Sequence, residues 1–275
     1  MNPVTRFFYR VSEESFKKHP PEEQWRLLLT GEDPQLRKGR HFFKRLPDNP
    51  RCQLCNAPFH GLGSPIMRIM GRSPSKLNPR FCGICLETSP VGGAEIELTM
   101  LFADVRGSTT LAEGMRPALF GSLINRFFGT ATQVLVETDA MIDRLVGDQV
   151  IALYLPAFAG LQHARAAVEA AKALLRATGH TDPNGPWIPV GVGIHTGVAF
   201  VGKVGQEAVN DITVLGDAPN VAARLSSLAR PGEILISDIA FTAASLDTGE
   251  MASRQVELKG RQEPVRIWSS TIPLH

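Results

Sequence analysis

Two sets of side chains in this sequence are spaced for metal chemistry. In LTMLFADVRGST, residues 98–109, an apolar strand-like run ends on Asp104 and a polar turn. In RLVGDQVIALY, residues 144–154, Asp148 sits in a Gly-Asp turn between two further strand-like runs. Taken singly, each aspartate reads as a turn residue. Brought together on rigid backbone, two carboxylates repel unless a cation lies between them. Hard oxygen ligands suit Mg2+ or Mn2+, which also bind substrate phosphates. Two such ions in one site can activate an attacking oxygen and neutralise a leaving pyrophosphate.

The second set is all cysteine. Cys52 and Cys55 form one C-x2-C pair, and Cys82 and Cys85 form another after 26 intervening residues. The chain has no further cysteines, and paired knuckles of this kind do not resemble a secreted disulfide framework. Two close thiolate pairs suit a structural, tetrahedral Zn2+. An iron–sulfur cluster is an alternative that would make the unit a redox sensor, and paired redox thiols are a third. His60 reads as a surface histidine beside them.

The elements that must position the aspartates alternate clearly. A strand at about 96–104 leads to a helix at about 116–137, apolar at helical spacing. MIDRLV and VIALYL flank Gly147-Asp148-Gln149, a hairpin signal. An Ala/Leu-rich helix closes at Gly179, and IPVGVGIHTG with VAFVGKVG reads as a strand pair turning at Gly197. Strand, helix, strand, strand, helix, strand is the ferredoxin-like βαββαβ order, an α+β fold. It sets the first strand beside the hairpin, which brings Asp104 and Asp148 to one sheet edge. After this core come DITVLG, a helix from about Ala218 to Leu228, EILIS, and closing strands QVELKG and PVRIWSS.

Ahead of the core, residues 12–46 read as two short amphipathic helices. Residues 47–93 show little periodicity, as expected where a metal organises a knuckle, and ETSPVGGAE (87–95) reads as a linker. The expected division is a metal-binding regulatory unit at 1–90 and a catalytic domain at 91–275. Charge supports two units: residues 1–93 hold 15 Lys and Arg against 8 Asp and Glu, and the rest hold 14 against 19. Lys and Arg are scattered in the front unit, which argues against a nucleic-acid surface. The 275 residues are 43% hydrophobic and 20% charged. No run approaches the roughly 18 apolar residues of a membrane helix, and the start lacks an apolar signal region. A cytoplasmic protein without a membrane segment is expected.

Four segments, LFADVRGST, RLVGDQVIALY, GVGIHTGVAFVGKVG and TVLGDAPNVAARL, together resemble the class III adenylyl/guanylyl cyclase catalytic domain in order and spacing. The resemblance spans about residues 96–270. It implies that Asp104 and Asp148 bind two Mg2+ or Mn2+ ions, and that Val105, Gly107, Ser108 and Thr109 form the phosphate-facing turn. It implies that Asn220 and Arg224 orient the ribose and stabilise the transition state. Four apart on a helix, these two point the same way, and a guanidinium suits charge growing on a phosphoryl oxygen.

Arg144 and Thr213 match the purine-reading positions. Related adenylyl cyclases usually carry Lys, and Asp or Thr, at these places; guanylyl cyclases carry Glu and Cys. This favours ATP and leaves GTP or mixed selectivity open, because Arg and Lys are not interchangeable. The segment GQEAVNDIT lacks an Arg common in the family, so Lys259 or Arg261 is expected to meet the triphosphate. Ser108 stands where Phe is common, and Pro219 where Val is usual. The implied reaction is that of a lyase, ATP to 3′,5′-cyclic AMP and pyrophosphate, in two composite sites of a head-to-tail homodimer. The linker's position before the first strand suggests that the cysteine unit gates the enzyme. A silent nucleotide-binding module on a cyclase scaffold is the alternative from another class.

Overall fold

An apolar run buried on both faces belongs in the middle of a sheet covered by helices, and the run from Leu98 to Ala103 takes that place. In the computed structural model, which describes residues 19–46, 50–61, 63–75, 78–206, 209–257 and 264–271, it lies in strand β1 (Gly92–Val105). There Leu98, Met100, Leu101, Phe102 and Ala103 are all buried. Strand β3 (Gln149–Tyr154) pairs antiparallel with β1, from Thr99 opposite Tyr154 to Asp104 opposite Gln149. Strand β2 (Met141–Val146) pairs antiparallel with β3, with a bulge between Ile142 and Arg144. Strand β4 (Val190–Gln206) flanks β1 on its other side. The order β4-β1-β3-β2 is the ferredoxin-like arrangement expected from the alternation of elements.

The sheet continues from β4 through β6 (Glu233–Ser237) and β8 (Val265–Thr271) to β7 (Ala252–Val256), while β5 (Val209–Leu215) pairs with β4. Helices α6 (Pro117–Glu137) and α8 (His163–Ala177), the latter preceded by the single turn α7 (Pro156–Ala159), lie between the early strands in sequence. Their apolar residues recur every three or four positions, so each presents one stripe to the core. Phe127, Ala131 and Leu135 of α6, with Ala164, Ala167, Val168, Ala171, Leu174 and Leu175 of α8, join one buried cluster with the sheet. Gly179 follows α8 with φ 87°, the left-handed conformation in which glycine commonly ends a helix.

Two local expectations are corrected. No turn occurs at Gly197, because β4 runs unbroken from Val190 to Gln206. A Cβ at Gly197 would meet His195 Nε2 at 3.1 Å and the Ala218 Cβ at 3.2 Å, so this glycine serves close packing rather than reversal. The linker is also shorter than its composition suggests, since residues 92–95 already belong to β1. There a Cβ at Gly93 would stand 2.7 Å from Gly202 Cα, so the glycines permit two strands to pass closely.

By packing, the described residues fall into two units: those up to Ile96 with Phe200–Val214, and Glu97–Ala199 with those from Leu215 onward. In the first, α1 (Pro21–Thr30) begins with proline and ends at left-handed Gly31, and α2 (Pro34–Lys44) follows. Trp25 of α1 is fully buried and its indole N–H donates to the Pro90 carbonyl at 3.0 Å. Short helix α3 (Ser64–Ile69) lies between the two cysteine pairs in sequence, and α4 (Gly83–Thr88) starts directly after Cys82 and contains Cys85. Among the described residues no helix is long and apolar enough to cross a membrane.

Candidate active site and metal centre

Asp104 is the penultimate residue of β1, and Asp148 occupies the two-residue turn between β2 and β3. The Val105 N–H donates to the Asp148 carbonyl at 3.3 Å, which ties the strand end to the hairpin turn. The Asp104 side chain is only 16% exposed, and its carboxylate accepts a hydrogen bond from the Arg106 guanidinium. Burial lowers the Arg106 pKa, and the charge of Asp148 opposes that shift. Arg106 thus contacts the Asp104 carboxylate directly and lies within reach of the Asp148 charge. All-oxygen donors of this kind suit Mg2+ or Mn2+.

After Asp104 the chain turns through Gly107 at φ 67° into α5 (Ser108–Glu113). Val105 is buried, Ser108 is half-buried and Thr109 is exposed. This is the segment expected to face phosphate.

Helix α9 (Asp217–Leu228) buries Ala218, Val221, Ala222, Leu225 and Ser226. That stripe leaves Asn220 exposed and Arg224 half-buried on the other side, so the two residues share the helix face that their spacing predicts. The Asn220 amide donates to the Gly216 carbonyl at 3.1 Å. Two glycines of β4 set the helix close to the sheet. A Cβ at Gly191 would lie 2.8 Å from the Ala229 carbonyl oxygen, and one at Gly193 would lie 2.5 Å from that of Ala222. The alternation in VGVGIH was the available signal for this contact.

The remaining expected substrate residues are placed as follows. Arg144 of β2 directs Nε to the Asp143 carboxylate at 3.1 Å and is 46% exposed, whereas Asp143 is buried. Thr213 is buried within β5. Lys259 and Arg261 lie outside the described residues. Asp211 is two positions before Thr213 and on the same strand face. Its Oδ1 accepts from Asn78 Nδ2 at 2.7 Å and from Arg80 Nη2 at 2.6 Å. Asn78 Oδ1 in turn accepts from the Arg80 backbone N–H at 3.1 Å. Nothing local in the sequence announces a contact between residues 131 and 133 positions apart.

The four cysteines converge. All are buried, and their Sγ atoms lie within 4.8 Å of one another, with Cys55 and Cys82 3.9 Å apart. Backbone amides support the sulfurs: the Cys82 N–H donates to Cys52 Sγ at 3.2 Å and the Cys85 N–H to Cys82 Sγ at 3.4 Å. Arg72 Nη1 donates to Cys55 Sγ at 3.2 Å. Hydrogen bonds from the other three thiols hold the Cys55 pKa below the ordinary value, with Arg72 adding to the effect, and burial pushes Cys52 up. Burial works against the Arg72 charge, but Cys55, Cys85 and Cys82 outweigh it and raise its pKa. Thiols packed this tightly all ionise only around a cation. His60 is exposed and outside the cluster, as expected.

Comparison with known proteins gives a consistent picture. A family model described as the adenylate and guanylate cyclase catalytic domain matches residues 94–269. An adenylate cyclase of Anabaena cylindrica is 30% identical over 197 residues; the match covers 66% of this chain and 38% of that relative's length. The chain thus spans well under half of that relative. Among solved structures, the guanylyl cyclase Cya2 matches at 30% identity with a TM-score of 0.58, over 65% of this chain and 93% of its own. The adenylyl cyclase CyaB from P. aeruginosa matches at 27% identity and 0.56, over 66% and 96%.

Proposed function

The chain belongs to the adenylate and guanylate cyclase catalytic-domain family, and on that premise we propose that it converts ATP to 3′,5′-cyclic AMP and pyrophosphate. The observation that carries this reading is the hydrogen bond from the Val105 N–H to the Asp148 carbonyl, which ties the strand end bearing Asp104 to the hairpin turn bearing Asp148. These two carboxylates would hold Mg2+ or Mn2+. When bound, two such ions promote formation of the attacking oxygen and neutralise the leaving pyrophosphate.

The protein's own share is positioning and charge. The ribose 3′-oxygen attacks the α-phosphorus in line, so no protein nucleophile is needed. Asn220 orients the ribose, and the Arg224 guanidinium meets the charge that grows on the phosphoryl oxygens. The turn from Val105 to Thr109 faces the phosphates, with Lys259 or Arg261 supplying a further cation. Arg144 and Thr213 read the purine, a donor set that suits the acceptor N1 of adenine. The similarity to the guanylyl cyclase Cya2, together with an arginine where a lysine is usual, favours a second reading, a cyclase that also accepts GTP.

In this reading two chains pair head to tail, with the aspartates of one and the Asn220 and Arg224 of the other facing one substrate. Mixing tests it. Chains carrying Asp104→Asn or Arg224→Ala are each inactive alone, and together they recover activity because one composite site in the mixed dimer is intact. No recovery, with mixed dimers demonstrated, contradicts it.

Residues 1–90 form a regulatory unit for the catalytic domain at 91–275. The four cysteines would hold one zinc ion, since a structural zinc takes four thiolates gathered close together and the Sγ atoms here lie within 4.8 Å of one another, with Cys55 and Cys82 3.9 Å apart. An iron–sulfur cluster spreads its thiolates farther apart. The hydrogen bonds from Asn78 and Arg80 to Asp211 support regulation, because they join the knuckle to the strand that carries Thr213.

A further inference from the structure

We propose that Arg106 is a positioning residue that weakens the grip of Asp104 on a divalent cation and links that grip to helix α9. The inference rests on the reading of Asp104 and Asp148 as cation ligands.

Arg106 is held at several points. Its backbone N–H donates to the Pro189 carbonyl at 2.8 Å. Its side chain is only 19% exposed. One terminal nitrogen, Nη2, donates to Asp104 Oδ2. The other, Nη1, donates to the Ser227 carbonyl at 2.8 Å. Ser227 lies in the last turn of α9, three residues beyond Arg224. One planar guanidinium thus spans from the first candidate metal ligand to the helix that carries Asn220 and Arg224. Its Nε is buried and has no partner among the described residues. An arginine kept there with an unmet donor is held by its two terminal contacts, because an unsatisfied buried donor carries a cost.

The electrostatic consequence follows directly. A divalent cation gripped by Asp104 shares that carboxylate with a fixed positive charge, or pushes it aside. Either way the guanidinium opposes binding of the free ion. At separations of several ångströms in a partly solvated site, one such charge changes the cation's affinity about tenfold. An ion that arrives with a triphosphate is opposed less, since the phosphates bring compensating negative charge. Arg106 therefore favours loading of cation and nucleotide together over loading of the bare ion. Any shift of its guanidinium is also felt at Ser227, which couples cation binding to the placement of α9.

The test uses the full chain and Mn2+ alone, with free Mn2+ followed by electron paramagnetic resonance and no nucleotide present. Wild type, Arg106→Gln, Arg106→Ala, Arg106→Lys and Asp104→Asn are compared, and near-ultraviolet circular dichroism selects the folded neutral variant. Removing the charge is expected to tighten Mn2+ binding about tenfold. Arg106→Lys keeps the charge and is expected to bind Mn2+ within about twofold of wild type. It cannot span both contacts, so its turnover number falls while its Mn2+ affinity holds. Mn2+ affinity unchanged or weakened in the neutral variants overturns the inference. If Asp104→Asn leaves Mn2+ binding intact, the underlying reading of the carboxylates fails instead, so the two failures are distinct.

Discussion

A Cβ on Gly193 would stand 2.5 Å from the Ala222 carbonyl oxygen, and closer still to the Ser226 amide nitrogen. No real side chain tolerates that approach, and both obstructing atoms are helix backbone. Strand β4 and helix α9 are therefore set at a depth that only glycine permits. Gly193→Ala is expected to move α9 outward and carry Asn220 and Arg224 with it. Overpacking of this kind costs about 1–3 kcal/mol, while misplacement near 1 Å costs about a hundredfold in rate. Turnover should fall about a hundredfold in a protein that still folds, as read by steady-state kinetics beside thermal melting.

The four-cysteine centre predicts a composition. Purified protein should contain about one zinc per chain by mass spectrometry and show no visible absorption band. Cys82→Ser should lose the ion, and the knuckle with it, because binding a structural zinc supplies folding energy. Iron, with absorption between 400 and 500 nm on the order of that of known clusters, would overturn the zinc assignment.

The Asp211 contacts predict a separable regulatory defect. Asp211→Asn and Arg80→Ala remove the charged pair between the knuckle and β5. Zinc content should be unchanged, while the ratio of kcat/KM for ATP over GTP should shift about tenfold, since the strand bearing Thr213 loses its tether. An unchanged ratio in both variants contradicts this route from knuckle to purine site.

Several of these relationships were open to sequence reading and others were not. Strand-helix alternation sufficed to bring Asp104 and Asp148 to one edge, because ferredoxin-like topology leaves few other placements for a strand end and a hairpin turn. The spacing of Asn220 and Arg224 likewise put both on one helix face. Gly197 misled, because a glycine required for close packing looks the same in sequence as one required for a turn. Only the structure shows Ala218 lying against it. Gly93 misled for the same reason. Arg106 lay unmarked between a valine and a glycine, since its partner Ser227 is 121 residues away. The Asn78–Arg80–Asp211 contact was equally hidden, because tertiary pairs leave no periodic trace.

The central claim, that two aspartates presented by adjoining β elements serve a nucleotide cyclisation, has a direct test. Wild type and Asp104→Asn are each supplied with Mn2+ and ATP or GTP, and the products are separated by chromatography. Wild type should yield 3′,5′-cyclic AMP and pyrophosphate, and Asp104→Asn should lose at least about a thousandfold of that rate, as expected when charge stabilisation at the reacting phosphates is lost. Absence of any cyclic nucleotide from folded, dimeric wild type, or undiminished turnover in Asp104→Asn, would contradict it.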